Sequence, residues 1–189
     1  SFKKNTILKN NNSFKSYEKY NVIIYRDTWG VPHIFGDKDE DTAYGLGYAH
    51  AEDDFATIQD ILIAARGNLA KYYGRSVAAN DYMVKLLKIW DTVEKNYENG
   101  LSDDVIKISE AYADGINHYA SLYPDKAFKG VFPVKGKDIV AGFIHRMPLM
   151  FGLDGALAKL ATNKYPIKNE DPSTSESDIL NQRMLGSNV

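Results

Sequence analysis

Cysteine is absent from the 189-residue sequence. That excludes thiol nucleophiles, disulfides and cysteine-based zinc sites. It leaves the compartment open, because a periplasmic enzyme can do without disulfides. Long hydrophobic runs are absent too: no apolar stretch approaches the ~20 residues that a membrane-spanning helix needs. Neither sign of charge dominates. Lys and Arg number 23 against 25 Asp and Glu, for a net charge of -2, and there is no basic arm. Nothing therefore points to nucleic acid or an anionic membrane as partner. Residues 1–20 are rich in Lys, Asn and Ser and lack the apolar core of a signal peptide. This fits either a cytoplasmic protein or a chain whose leader has been removed. Walker, Gly-x-Ser-x-Gly and His-Glu-x-x-His motifs are also missing. What is present is 44% hydrophobic and 25% charged, the balance of a globular chain with a real core.

Along the chain there is no internal repeat. Residues 1–20 are expected to be irregular. Asn21–Tyr25 (NVIIY) is a β-branched run suited to a strand. Arg26–Phe35 (RDTWGVPHIF) supplies a turn with Gly30 and Pro32 and then a second strand, so the pair reads as a hairpin. From Tyr48, apolar residues fall at Ala51, Phe55, Ile58, Leu62, Ala65, Leu69 and Tyr72. Steps alternating between three and four make one helix face over about seven turns. Gly67 interrupts that helix and Gly74 ends it.

A second helix is expected over Asp81–Tyr97. Ser102 is an N-cap for a third, whose face runs Val105, Ile108, Tyr112, Ile116 and Tyr119 and which Pro124 closes. Phe128–Lys135 reads as a loop. Asp138 opens a last helix, DIVAGFIHRMPLMF, with a kink expected at Pro148. From Pro166 the chain turns to a Pro/Ser/acid-rich solvated linker, and it ends Gly186-Ser187-Asn188-Val189. The fold class is α+β: mostly helical, with a short N-terminal β hairpin. A lone hairpin is marginal in water, so it is expected to complete a sheet supplied by another polypeptide or by a further part of the protein.

Each chemistry-bearing candidate has a plain alternative. His50 lies beside Glu52, Asp53 and Asp54, a metal-ligand composition, but helical spacing turns these side chains to different sides and favours a surface cluster. His33, after Pro32 in an apolar strand, reads as a hydrogen-bonded core histidine, and His118 as a structural residue of its helix. Gly45 and Gly47 form a Gly-x-Gly without the third glycine or preceding strand of a nucleotide site, which favours close packing. Met147, Met150 and Phe151 beside Pro148 form either ordinary core or a pocket for an acyl chain. Ser187 after Gly186 singles out no nucleophile by itself.

Two segments together resemble the α chain of the penicillin acylase family. They are Arg26-Asp27-Thr28-Trp29-Gly30-Val31-Pro32-His33-Ile34 and Gly45-Leu46-Gly47-Tyr48-Ala49-His50-Ala51-Glu52-Asp53, the second opening a helix that runs on to Arg66-Gly67 and Tyr72-Tyr73-Gly74. Order, spacing and content match. The likeness continues less sharply through Tyr112-Ala113-Asp114-Gly115-Ile116-Asn117 and Asp138–Phe151, so it covers most of 21–165. Ala51-Glu52-Asp53-Asp54-Phe55 followed by Ala65-Arg66-Gly67 looks closer to the acyl-homoserine lactone and aculeacin acylase branch. The penicillin G branch usually carries Asp-Arg after that alanine.

The resemblance implies a four-layer αββα N-terminal-nucleophile hydrolase fold, completed by a β chain cut from the same precursor and absent here. Residues 21–165 would be the α chain, 166–186 linker or spacer, and 187–189 the start of the β chain. Cleavage between Gly186 and Ser187 would make Ser187 the catalytic N-terminal nucleophile. Met147 and Phe151 match, in spacing and helix context, the Met and Phe that line the acyl pocket of penicillin G acylases. Between them the sequence departs from the family: Leu149 and Met150 replace more polar residues and Pro148 is added, so a greasier pocket is expected, with Met150 as a third lining residue. The calcium-ligating Glu of those enzymes is Leu157 here, so no cofactor is expected and a calcium site of that type is in doubt. The implied activity is hydrolysis of the amide of an N-acylated small molecule, in the periplasm or outside the cell. The rival reading is a non-catalytic helical binding module with a disordered acidic tail.

Overall fold

The computed structural model describes residues 19–153 throughout and, outside that stretch, 4–7, 17, 155, 156 and 159. Three strands open the chain: β1 (Lys4–Ile7), β2 (Val22–Arg26) and β3 (Pro32–Gly36). They form one antiparallel sheet in the order β1-β2-β3, with Thr6 opposite Ile24 and Ile24 opposite Ile34. The expected hairpin is β2–β3. Strand β1 is an addition that differs from the irregular segment expected over residues 1–20. Its Lys-Asn-Thr-Ile sequence carries no apolar alternation; what recruits it is the free edge that β2 would otherwise present.

Period-two alternation on β2 buries Val22 and Ile24 and lays them against the helix that follows. That helix, α1 (Asp39–Ala65), starts nine residues before the expected point. Its first turn is acidic, Asp39-Glu40-Asp41, which suits the positive end of the helix dipole. Asp41 fixes the start, accepting from the Lys38 N–H at 3.2 Å and from the Asn21 N–H at 3.0 Å. At Asp54 the backbone leaves helical geometry (φ -149°, ψ 72°), and the Asp54 carboxylate accepts the Thr57 N–H at 3.2 Å, capping the second half. Gly67, at φ +65°, ends α1 instead of interrupting a longer helix: the Asn68 N–H reaches back to the Ile63 carbonyl at 3.1 Å, a left-handed glycine stop.

Beyond it, α2 (Leu69–Tyr73) is capped by Asp81, which accepts the Leu69 and Ala70 N–H groups at 2.8 and 2.9 Å. The single helix expected over Asp81–Tyr97 is two, α3 (Ala78–Leu86) and α4 (Ile89–Gly100), broken where Lys88 turns left-handed at φ 51°. Helix α5 (Asp103–Leu122) begins on the expected Ser102 cap, whose hydroxyl accepts the Val105 N–H at 3.4 Å. Its buried face is Ala111, Ala113, Gly115, Ile116, Tyr119 and Ala120, while Val105 and Ile108 are exposed.

Helices α1 and α5 pack together with the sheet around Ile24, Tyr44, Ile63 and Ile116. Each such side chain contributes about 1.5–3 kcal/mol by leaving water. A second core of Met83, Val84, Ile89, Val93, Tyr97 and Ala141 joins α3 and α4 to α6 (Gly136–Met150).

Candidate functional site

The two family-like segments meet in space. Asp27 shapes the β2–β3 turn: its Oδ1 accepts the N–H groups of Trp29 and Val31, each at 2.9 Å, and Gly30 takes the φ of +85° the turn requires. Partial desolvation of the Asp27 carboxyl is outweighed by the Val31 and Trp29 donors and by His33, so its pKa lies below the usual value. Arg26 clasps α1. Its Nε and Nη2 donate to Glu52 at 3.0 and 2.8 Å, Nη2 also lies 2.8 Å from Asp53, and Nη1 donates to the Gly30 carbonyl at 2.8 Å. Glu52 and Asp53 are thereby occupied as ion-pair partners, and among the described residues no group of three acidic or histidine side chains is disposed to hold a metal.

His50 Nδ1 pairs with the Tyr112 hydroxyl at 2.8 Å. His33 is exposed and sits 3.4 Å from Asp27. The core position expected for His33 is corrected: period-two alternation turns Ile34 toward Gly45 of α1 and His33 and Phe35 the other way. His118 is half-buried, shares a hydrogen bond through Nδ1 with the Tyr44 hydroxyl and stacks on Tyr17 with ring centroids 4.7 Å apart.

Gly45 and Gly47 lie inside α1 and serve close packing. A Cβ on Gly45 would meet Val22 and Ile34 at 2.6 and 2.7 Å, and one on Gly47 would lie 2.2 Å from the Tyr112 carbonyl oxygen. No side chain fits there.

Helix α6 carries the acyl-pocket candidates, and it is held tightly. The loop before it is stitched down by Asn117, which exchanges two 2.7 Å hydrogen bonds with the Val134 backbone, and by Arg66 Nη1, which donates to the Val131 carbonyl at 2.6 Å. Asp138 is 5% exposed. It accepts from Arg66 Nε at 2.7 Å and from the Lys135 N–H at 2.9 Å, joining an ion pair to the helix cap. One and two turns on, Ala141 and His145 continue this buried face, and His145 Nε2 lies 2.7 Å from Asn80 Oδ1.

The other face of α6 is uncovered among the described residues. Phe143, Met147, Met150 and Phe151 are 72%, 52%, 70% and 82% exposed. Their spacing of four, three and one puts them on one stripe. The candidates Met147, Met150 and Phe151 therefore share a surface, and Phe143, one turn before Met147, extends it. Helical spacing carries that signal: Phe143 stands four residues before Met147. Pro148 falls in the last turn, where the helix ends two residues later in place of the kink expected there. Ser187 and Gly186, the linker 166–186 and Leu157 lie outside the described residues.

Comparison with known proteins bears on this arrangement. The Penicillin amidase family matches residues 21–170. Acyl-homoserine lactone acylase QuiP of Pseudomonas fluorescens (strain Pf0-1) is 29% identical over 106 residues, 56% of this chain and 13% of the relative. Penicillin acylase 2 proenzyme of Pseudomonas sp. (strain SE83) is 29% identical over 98 residues, 52% of this chain and 12% of the relative. Aculeacin-A acylase of Actinoplanes utahensis is 25% identical over 111 residues, 53% of this chain and 14% of the relative. The chain thus spans a small fraction of the curated relatives it matches. Thermostable penicillin G acylase from Alcaligenes faecalis superposes with a TM-score of 0.55 at 26% identity, covering 69% of this chain and 74% of that one. The β2–β3 hairpin, the Arg26 clasp and the glycine-packed helices lie within the matched stretch, and the chain belongs to the Penicillin amidase family.

Proposed function

We propose that this chain is the α-chain part of a self-processing N-terminal-nucleophile amidohydrolase, which cleaves the amide of an N-acylated small molecule into a carboxylic acid and an amine. The observation that carries the reading is the family match over residues 21–170. The relatives' names, acyl-homoserine lactone acylase, penicillin acylase and aculeacin-A acylase, set the reaction class.

In the precursor, the Ser187 hydroxyl attacks the Gly186 carbonyl; the Gly186–Ser187 C–N bond breaks as the ester forms, which frees the Ser187 α-amine, and hydrolysis of the ester then releases the Gly186 carboxylate and restores the hydroxyl. An α-amine with a pKa of about 7.7–8.0 works as a base near neutrality. It takes the proton of its own hydroxyl, directly or through a water, as the oxygen attacks the substrate carbonyl. The amine product leaves, and water releases the acid from the acyl-enzyme. Preorganised donors must stabilise the oxyanion; by resemblance they belong to the β chain, so this chain alone is inactive. The Leu157 side chain has no carboxylate to offer, and a calcium site of the penicillin G acylase type is not part of the proposal.

The exposed α6 stripe supports a wall for the acyl group, with the β chain supplying the facing side. An entirely apolar stripe suits an aliphatic chain, which puts N-acyl-homoserine lactones first and acylated peptides and β-lactams second. A periplasmic or secreted location completes the reading.

The test uses the complete reading frame. Masses and N-terminal sequences of the purified chains should give two co-purifying chains, the larger beginning Ser187-Asn188-Val189. Ser187→Ala should remain uncleaved and inactive. If that variant processes and hydrolyses acyl amides like wild type, the nucleophile is wrong and the helical binding module takes its place.

A further inference from the structure

The α6 stripe can select an acyl chain only if the last turn of the helix is fixed, and that turn is short of backbone bonds. Pro148 has no N–H, so the Ile144 carbonyl loses its helical donor. Past the end of the helix, the chain closes through the tighter bonds Phe151 N–H to Pro148 O and Gly152 N–H to Leu149 O, each at 3.2 Å. One residue past Ile144, on the buried face, His145 bonds to Asn80 of α3 at 2.7 Å.

The direction of that bond follows from the network. Both Asn80 Nδ2 contacts run to acceptors, the Ala64 carbonyl at 2.9 Å and Asp81 Oδ1 at 3.2 Å. This fixes the amide orientation and turns Oδ1, an acceptor only, toward His145. His145 must therefore donate from Nε2. Burial, and Arg146 beside it, hold its pKa below the usual value, which is consistent with a neutral ring carrying one proton. The bond leads from the pocket helix through Asn80 to the last turn of α1, whose carbonyl ends are also met by the Trp90 indole N–H on Ala65 O at 2.9 Å. The core on its inner side is lined by Ala65, Met83, Val84 and Ala141, with the Asp81 carboxylate and Arg146 as the charged neighbours. A directional bond there fixes position in a way that apolar contacts alone do not.

We propose that His145 and Asn80 are positioning residues that set how deep an acyl chain reaches against Met147, Met150 and Phe151, and so set acyl-length preference. The proposal rests on the acylase reading above. Neither residue touches the substrate; they act through the axial and rotational setting of α6.

The experiment takes the complete, processed enzyme and a series of linear N-acyl amides of increasing chain length, with kcat and KM measured for each. Wild type should show a preferred length. His145→Leu should lower kcat/KM for that length about tenfold, chiefly through KM, and change the shortest acyl groups little. His145→Gln, whose amide N–H reaches the place of Nε2, should restore the wild-type profile. A uniform loss at all lengths with no rescue by Gln, or an unchanged profile, overturns the proposal and leaves the acylase reading standing. If wild type hydrolyses no acyl amide, both fall.

Should His145→Leu fail to fold, nitrogen NMR of the histidine in the wild-type protein decides. A neutral ring protonated at Nε2 and slow to exchange is expected, and a ring protonated at Nδ1 overturns the proposal.

Discussion

At the α1–α5 crossing, a Cβ on Gly47 would lie 2.2 Å from the Tyr112 carbonyl oxygen and one on Gly115 2.1 Å from that of Tyr44, whereas on α6 a Cβ on Gly142 would meet no described atom within 4 Å. The first pair of helices touches backbone to backbone. The third packs one face, through Asp138, Ala141 and His145, and leaves Phe143, Met147, Met150 and Phe151 uncovered. The finished interface holds Gly47 of the second family-like segment and Gly115 of α5, and what these two positions do there is close packing. The unfinished surface is where a ligand or a second chain has room to lie.

The largest test of this contrast is an added methyl group at the crossing. Gly115→Ala or Gly47→Ala forces the two backbones apart, because the blocking atom is a carbonyl oxygen and not a movable side-chain end. A loss of about 3 kcal/mol or more is expected, read as a large drop in thermal midpoint and in soluble yield of the full-length protein. A variant as stable as wild type would mean that the helices are not in backbone contact. Next comes the anchor of α6. Asp138→Ala leaves Arg66 as a largely buried cation without its carboxylate and removes the cap on the Lys135 N–H. About 3 kcal/mol is expected, measured by denaturant unfolding. A loss under 1 kcal/mol would show that α6 is held by apolar contacts alone.

The sequence made the local features of this architecture legible. The β2–β3 turn has Asp27, Gly30 and Pro32 within six residues, and Ser102 stands before an acidic first turn, so both follow from nearest neighbours. The errors share a cause: the deciding partner was distant or the pattern ran on through a break. The start of α1 lies earlier than apolar spacing predicts because its first turn is acidic, not apolar. The apolar spacing continues past Gly67 through Leu69 and Tyr72, although these belong to α2, and this continuity hides the helix end at Gly67. The break at Lys88 has no Gly or Asn to announce it. Strand β1 depends on an edge that only β2 provides. At the candidate site, Met147, Met150 and Phe151 were legible from helical spacing. The tether at His145 was not, since Asn80 is 65 residues away in sequence.

The two regions also share a response to acid that the contrast predicts should differ in kind. Burial lowers the pKa of His118, at the α1–α5 core, and of His145, on the inner face of α6, where Arg146 adds to the effect. For a histidine the folded value then lies below the unfolded one of about 6.5. In that window the unfolded chain binds more protons, so stability is fully present above pH ~6.5 and is lost as pH falls through the folded pKa. Thermal midpoints should fall between pH 7 and pH 5, and His118→Gln and His145→Gln should each flatten the slope. In the wild-type enzyme the acyl-length profile should shift in the same pH range, as the His145 ring takes up its second proton; His145→Gln should abolish that shift, and His118→Gln should leave it in place. A shift that both substitutions abolish equally would erase the distinction between scaffold and wall.

The smallest expected effect bears most directly on what covers α6. Alanine is favoured over glycine inside a helix by about 0.5–1 kcal/mol, and Gly142 has open space around its missing Cβ among the described residues. Gly142→Ala should therefore raise the thermal midpoint slightly, the opposite sign to Gly47→Ala for the same chemical change. Since Gly142 directly precedes Phe143, its surroundings in the processed protein report on whether another chain comes as close to α6 as α5 comes to α1. A gain of stability in the complete enzyme means that this flank stays open or meets only adaptable side chains, which leaves the Phe143–Phe151 stripe as the surface free to grip an acyl group. A loss comparable to that of Gly47→Ala means that a second backbone lies against α6, and the stripe would then be divided between subunit contact and substrate.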